Sequence, residues 1–179
     1  MRTMLEAFRD TAARAPDAEV FGVGMGALDA ASDAFAAALL DRGFLFGDTL
    51  AIAVPDGPDL VTAMVGAWKA GGSAVLVDPA ADLIGVLAET RATVLFCDGD
   101  HDDVVAYTDV HTVISGTDHL RDLLALHAGE RPLASAPDPE ALAVDTVTQG
   151  AMASAAKANR ADRIGRLAFA MTASEGETR

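Results

Sequence analysis

The residues of this chain that could support chemistry begin with a glycine-rich segment near the N-terminus. Residues 22–27 have the G-x-G-x-x-A spacing of a dinucleotide-binding loop and precede a helical pattern. Such a loop needs a solid strand directly before it, and only residues 19–21 are available, close behind Pro16. A flexible loop between a short strand and a helix is therefore the favoured interpretation, and we predict no cofactor.

An acidic segment and four histidines are the next candidates, and neither pattern predicts a metal site. Residues 98–103 are acidic but lack the alternating ligands, the mid-loop glycine and the closing glutamate of a calcium loop. No two histidines have the i, i+3 or i, i+4 spacing that would place them on one helix face: His101, His111, His119 and His127. We interpret the acidic segment as a solvated loop and three or four histidines as unrelated surface residues.

Ser115 and His119 bound a stretch, Ser-Gly-Thr-Asp-His, that contains the residue types of a hydrolase triad. No G-x-S-x-G elbow surrounds this serine, so a turn followed by a helix cap explains the stretch better. We therefore predict no catalytic residue here.

Four basic residues near the C-terminus recur every three positions, which places them along one side of a helix: Lys157, Arg160, Arg163 and Arg166. They could face the acidic body of the same chain or of a neighbour, or they could form one solvated helix face. Both hypotheses stay open. Four bases with acids nearby are too few to indicate nucleic-acid binding.

Composition places the chain among acidic globular proteins. The 179 residues carry a formal net charge of -14, and 51% of them are hydrophobic. This charge disfavours nucleic acid and anionic membranes as partners. The single cysteine, Cys97, lies in an apolar run and is predicted to be a buried thiol. We find no secretion signal and no membrane-spanning stretch, and we expect a cytoplasmic location.

The elements that must position these residues alternate between strands and helices. Hydrophobic spacing predicts helices over residues 4–15, 27–42, 59–70, 82–90 and 120–127. Strands are predicted around Val20 and over residues 49–54, 74–77, 93–97 and 110–115. This alternation indicates an α/β fold, a Rossmann-like doubly wound and mostly parallel sheet with flanking helices.

Three regions follow along the chain. Residues 1–128 are predicted to form the α/β subdomain, residues 129–148 a linker with a proline-rich start, and residues 149–179 a helical C-terminal arm. The arm is net basic, whereas the rest of the chain is strongly acidic.

An ordered series of short segments resembles the opening of the adenylate-forming superfamily, which includes acyl-CoA synthetases. The series comprises a helix ending in Gly43, a Gly-Asp turn at residues 47–48, the loop 55–61, Lys-Ala-Gly-Gly at 69–72, Asp-Pro at 78–79 and the segment 88–95. It covers roughly residues 4–97. The resemblance implies an N-terminal subdomain with a Rossmann-like sheet.

The same resemblance implies a phosphate loop rich in Gly, Ser and Thr and ending in Lys, expected near residues 141–148. No such loop is present there. Residues 147–155 resemble the segment after the loop, with Gln149 where the family usually has His, and residues 161–164 resemble the next landmark. A second alignment places a decayed loop at residues 172–179, with acids where phosphate must sit. Either alignment implies that ATP binding is lost.

These observations lead to a functional hypothesis. We expect a truncated pseudoenzyme, about a third of a full family member, that acts as a binding or protein-interaction module. Exposed surfaces then favour a homo-oligomer or a partner protein. Alternatives are one piece of a split ligase, a repurposed enzyme that binds a small acyl or nucleotide ligand, or a decayed gene product. Ligands of open α/β sheets bind beyond the carboxyl ends of strands, so the pocket candidates are Pro55, Asp56, Asp78 and Pro79.

Overall fold

The computed structural model describes residues 4–78, 81–99, 101–132 and 144–147, the last segment by its backbone. In chain order the helices are α1 (Met4–Arg14), α2 (Met25–Asp41), α3 (Pro58–Lys69), α4 (Leu83–Thr90) and α5 (Gly116–Leu126). The strands are β1 (Glu19–Val20), β2 (Val23–Gly24), β3 (Thr49–Ala53), β4 (Ser73–Val77), β5 (Val94–Cys97), β6 (Thr112–Ser115) and β7 (Val144–Val147). A short 3-10 helix covers Asp102–Ala106.

Five of these strands form one fully parallel sheet in the order β6-β5-β3-β4-β7. Helices α1, α2, α3 and α5 contribute to the hydrophobic cluster on one face of the sheet. Helix α4 and the 3-10 helix contribute to the cluster on the other face. The predicted Rossmann-like, doubly wound α/β fold is therefore confirmed.

The central strands are buried on both faces, as their continuous apolar runs predict. Within β3, Leu50 and Ile52 belong to one cluster, and Ala51 between them belongs to the other. The same alternation holds in β5, where Cys97 is 1% exposed. The prediction of a buried thiol is confirmed.

The glycine-rich segment near the N-terminus forms a β-hairpin and the start of α2. Strands β1 and β2 pair antiparallel around a two-residue turn at Phe21 and Gly22, whose φ angles are 53° and 74°. Positive φ at both positions is the type I′ geometry that suits a tight hairpin. The short strand near Val20 is confirmed, and β2 occupies positions that a dinucleotide-binding loop would need.

Strand β7 lies in the interval that the sequence assigned to a linker and to the expected phosphate loop. Its residues pair in parallel register with β4, from Ala74 opposite Val144 to Val77 opposite Val147. Three of its four residues are β-branched, which favours the extended conformation. The predicted helical arm, residues 149–179, lies outside the described residues.

A buried lysine connects the end of α3 to α2. The Lys69 side chain is 1% exposed, and its Nζ atom lies 2.7 Å from carboxylate oxygens of both Asp29 and Asp33. The same ammonium donates to the backbone carbonyl of Asp29 at 2.8 Å. Its three N–H donors are thus satisfied, and the two carboxylates are held beside a cation.

Candidate functional site

The predicted pocket residues lie at the carboxyl edge of the sheet. Pro55 and Asp56 follow β3 and are exposed, whereas Asp78 follows β4 and is half-buried. Because β3 and β4 are neighbours in parallel register, the two aspartates leave adjacent strand ends. Pro79 lies outside the described residues. The loops after two adjacent strands therefore share this edge, and the assignment of these residues to a ligand pocket stays a prediction.

Carboxylates dominate the chemistry of this edge. Among the described residues, the connections that follow β3 to β6 and the first turns of their helices include several aspartates: Asp56, Asp59, Asp78, Asp82, Asp98, Asp103 and Asp118. The described residues of the connections themselves include no lysine or arginine. Arg121, within α5, lies 2.7 Å from Asp118, and both side chains are largely exposed. An anionic ligand would meet net negative charge on this surface.

The Ser115–His119 stretch caps a helix. Ser115 is the N-cap residue of α5, and its backbone N–H donates to Nδ1 of His119 at 3.3 Å. This contact engages Nδ1 with the backbone. Ser115 occupies the N-cap position as predicted, but its side chain makes no capping hydrogen bond, and the bond to the imidazole comes from its own backbone N–H.

The other histidines do not converge with these residues on a common site. His127 differs from the surface placement that its sequence suggested, because it is 6% exposed at the end of α5, with Nδ1 3.3 Å from Glu130. Within the described ranges, no three side chains of His, Cys, Asp or Glu come together in a way that could hold a metal ion.

A cavity that the sequence did not reveal lies at the opposite, amino edge of the sheet. Its volume is about 400 Å³, and its lining comes from the segments that lead into β3, β5 and β6: Gly47, Asp48, Thr49, Thr90, Arg91, Thr93 and Asp109. We call it the amino-edge cavity. These residues are distant in sequence and form no motif, so only the parallel sheet brings them together.

Two further expectations concern the basic residues near the C-terminus and the crossing of a membrane. The basic residues Lys157, Arg160, Arg163 and Arg166 lie outside the described residues. Among the helices that the structure describes, none combines the length and apolar character needed to cross a membrane.

Comparison with known proteins relates the chain to one family. The profile described as "AMP-binding enzyme" matches residues 8–162. Comparison with curated proteins gives no match. Among solved structures, a fatty acyl CoA synthetase of Mycobacterium tuberculosis is 18% identical with a TM-score of 0.66, covering 74% of this chain and 30% of that one.

Two other solved structures agree in fold. VinN in complex with L-aspartate is 22% identical with a TM-score of 0.67, covering 79% of this chain and 43% of that one. A benzoate CoA ligase from Burkholderia xenovorans LB400 is 17% identical with a TM-score of 0.65, covering 77% and 31%. The chain thus spans less than half the length of each of these structures, and identities this low support the fold alone.

Proposed function

The chain belongs to the AMP-binding enzyme family, and from this premise we propose that it is a binding or protein-interaction module. We propose further that it does not adenylate an acid on its own. Its relation to AMP-binding acid–CoA ligases supplies the fold, with a carboxyl edge where open α/β sheets bind ligands. The observation that carries the proposal is the charge of that edge.

Acyl adenylation requires stabilisation of a highly charged anion. An acid attacks the α-phosphorus of ATP, and negative charge builds up on the departing pyrophosphate, so donors and cations must face the phosphates. Asp56 and Asp78 stand on adjacent strand ends at this edge, with Asp98 after β5. Like charge weakens phosphate binding there. No loop rich in Gly, Ser and Thr and ending in Lys occurs at residues 141–148, and four of those residues are β7.

The first prediction concerns this missing reaction. The full chain is expected to give no acid-dependent exchange of pyrophosphate into ATP at about 1 mM ATP, because the aspartates at the carboxyl edge, among them Asp56, Asp78 and Asp98, repel the charge of the phosphates. Radiolabel exchange with a panel of aliphatic, aromatic and amino acids measures this directly, with an active acid–CoA ligase as positive control. Exchange above background with any acid would overturn the proposal. Exchange that appears only when a second protein carrying the remaining ligase domains is added would support the alternative of a split ligase. This alternative is favoured because the chain covers only 30% and 43% of two of the solved structures.

The module's expected partner is a second copy of the chain or a partner protein, recognised by charge. The basic stripe, defined as Lys157, Arg160, Arg163 and Arg166, is complementary to the acidic body. Nucleic acid and membranes carry the same sign of charge as that body, so they are not proposed as partners.

The second prediction tests this association. Sedimentation of the full chain up to about 100 μM is expected to show a reversible dimer that weakens as salt is raised. Replacing all four stripe residues with Glu should weaken association by about tenfold or more. The matched control exchanges Lys and Arg at the same four positions, which preserves the charge. A monomer at every concentration, with no protein partner captured through the stripe, would contradict the module hypothesis.

A further inference from the structure

The amino-edge cavity contains a backbone conformation that is costly for its residue. Arg91 follows α4 in the left-handed region, with φ 52° and ψ 38°. Glycine is the usual residue at such a helix end, because the left-handed conformation costs a residue with a Cβ atom about 1 kcal/mol or more. The Arg91 side chain is 84% exposed, so its burial contributes little stability to offset this strain. Strained residues cluster at ligand-binding sites, so the position of Arg91 at the rim of a cavity indicates a ligand for its guanidinium.

The charges around Arg91 are only loosely paired. Its Nε atom lies 3.7 Å from Oδ2 of Asp109, which is itself 62% exposed, and such a surface pair contributes little stability. A second carboxylate, that of Asp48, lines the same cavity and accepts the backbone N–H of Leu45 at 2.8 Å. The cavity therefore presents one guanidinium beside two carboxylates.

A buried hydroxyl without a hydrogen bond lies in the wall. Among the described residues, the Oγ1 atom of Thr93 is buried and has no partner. The backbone groups of Thr93 are already engaged, its N–H with Thr49 and its carbonyl with His111. A rotation of about 120° about χ1 would move Oγ1 to the position of the methyl group or of Hβ, and the hydroxyl could then pair with a ligand in the cavity.

We propose that the amino-edge cavity binds a small zwitterion of the α-amino acid class. An α-amino acid carries its ammonium and its carboxylate on one carbon. These two charges are therefore close enough together to face the Arg91 guanidinium and the Asp109 carboxylate, which lie 3.7 Å apart. The carboxylate binds the Arg91 guanidinium, and the ammonium binds Asp109 and Asp48. A volume of about 400 Å³ accommodates a ligand of this size. This site lies at the opposite edge of the sheet from the carboxyl edge, and it does not depend on the proposed function.

The extra carboxylate predicts an order among ligands. Because Asp48 adds a second negative charge, L-lysine should bind at least as tightly as L-alanine, and L-glutamate more weakly. Acetate and ethylamine each lack one of the two charges and should bind more weakly than L-alanine.

Titration of the isotopically labelled full chain, followed by amide chemical shifts, tests the proposal. We expect saturable shifts at Thr90, Arg91, Thr93 and Asp109 with L-alanine and L-lysine below about 20 mM. Arg91→Gln should weaken binding by about tenfold. Arg121→Gln, which removes another exposed arginine paired with an aspartate, should leave affinity unchanged.

The outcomes separate cleanly because Arg91 is exposed and its replacement leaves the core intact. Shifts that stay linear to about 20 mM, or that spread over the acidic surface, would overturn the site. Equal affinity in Arg91→Gln and the unsubstituted chain would also overturn it. Neither result bears on pyrophosphate exchange or on dimer formation.

Discussion

Gly72→Ala is expected to lower the free energy of unfolding by about 3 kcal/mol, measured by urea denaturation. A Cβ atom at this position would lie 2.3 Å from Cε1 of Phe44 and 2.5 Å from the backbone oxygen of Asp48. The Phe44 ring is 1% exposed in the core, and the Asp48 carbonyl accepts the N–H of Ser73 at the start of β4. Relief of the clash must therefore displace a core ring or break a hydrogen bond beside the sheet.

Gly57→Ala is the matched control for this prediction. No atom lies within 4 Å of the Cβ that it would add, and Gly57 has an extended φ of 174° that alanine adopts as well. Its cost should stay below about 1 kcal/mol, that of a poorer helix N-cap. A similar loss in both variants would mean that the contact with Phe44 does not determine the need for glycine at position 72.

Sequence patterns identified the parts of the fold that burial determines. Strands β3, β4 and β5 were predictable because a short, continuous run of apolar residues between two turns is typical of a strand that is covered on both faces. Strand β2 was missed because the hairpin turn contains Phe21, whereas Asn or Asp is usual at a position of positive φ. Strand β7 was missed because Asp145 interrupts a run of only four residues, and its pairing with β4 is non-local.

The two edges of the sheet differ in how much sequence reveals of them. Asp56 and Asp78 could be assigned to one edge because each directly follows a strand, and parallel strands end together. The amino-edge cavity could not be predicted, because Asp48, Arg91 and Asp109 precede three different strands. Their proximity depends on the order β6-β5-β3 and on the left-handed turn at Arg91. Neither property leaves a recognisable spacing in the chain.

Lys69 shows how a residue of a family motif can acquire a physical role once the helices are in place. In the sequence it is the first residue of Lys-Ala-Gly-Gly, and no spacing there indicates which residues pair with it. In the fold its partners Asp29 and Asp33 are separated by one helical turn on α2, so both carboxylates face the same ammonium. Asp33 also lies 3.6 Å from Arg131, which follows α5. One carboxylate thereby connects the end of α3 and the segment after α5 to α2.

Lys69→Met is expected to lower the free energy of unfolding by about 3 kcal/mol in urea denaturation. Methionine keeps most of the apolar stem but leaves two carboxylates near each other without the cation between them. The Asp33 side chain is 14% exposed and Asp29 is 31% exposed, so water compensates Asp29 better than Asp33. This residual solvation places the expected loss toward the lower end of the range for broken buried pairs.

Two further variants show whether burial, and not the ion pair as such, sets this cost. Arg121→Met removes a contact of the same 2.7 Å length to Asp118, but those side chains are 71% and 96% exposed, so the loss should be below about 1 kcal/mol. Adding Asp33→Asn to Lys69→Met should recover part of the stability, because it removes one of the two carboxylate charges that have lost the ammonium. If Lys69→Met and Arg121→Met cost the same, or if the double variant is as unstable as the sum of its parts, the buried ion pairs of Lys69 with Asp29 and Asp33 do not set the cost of Lys69→Met.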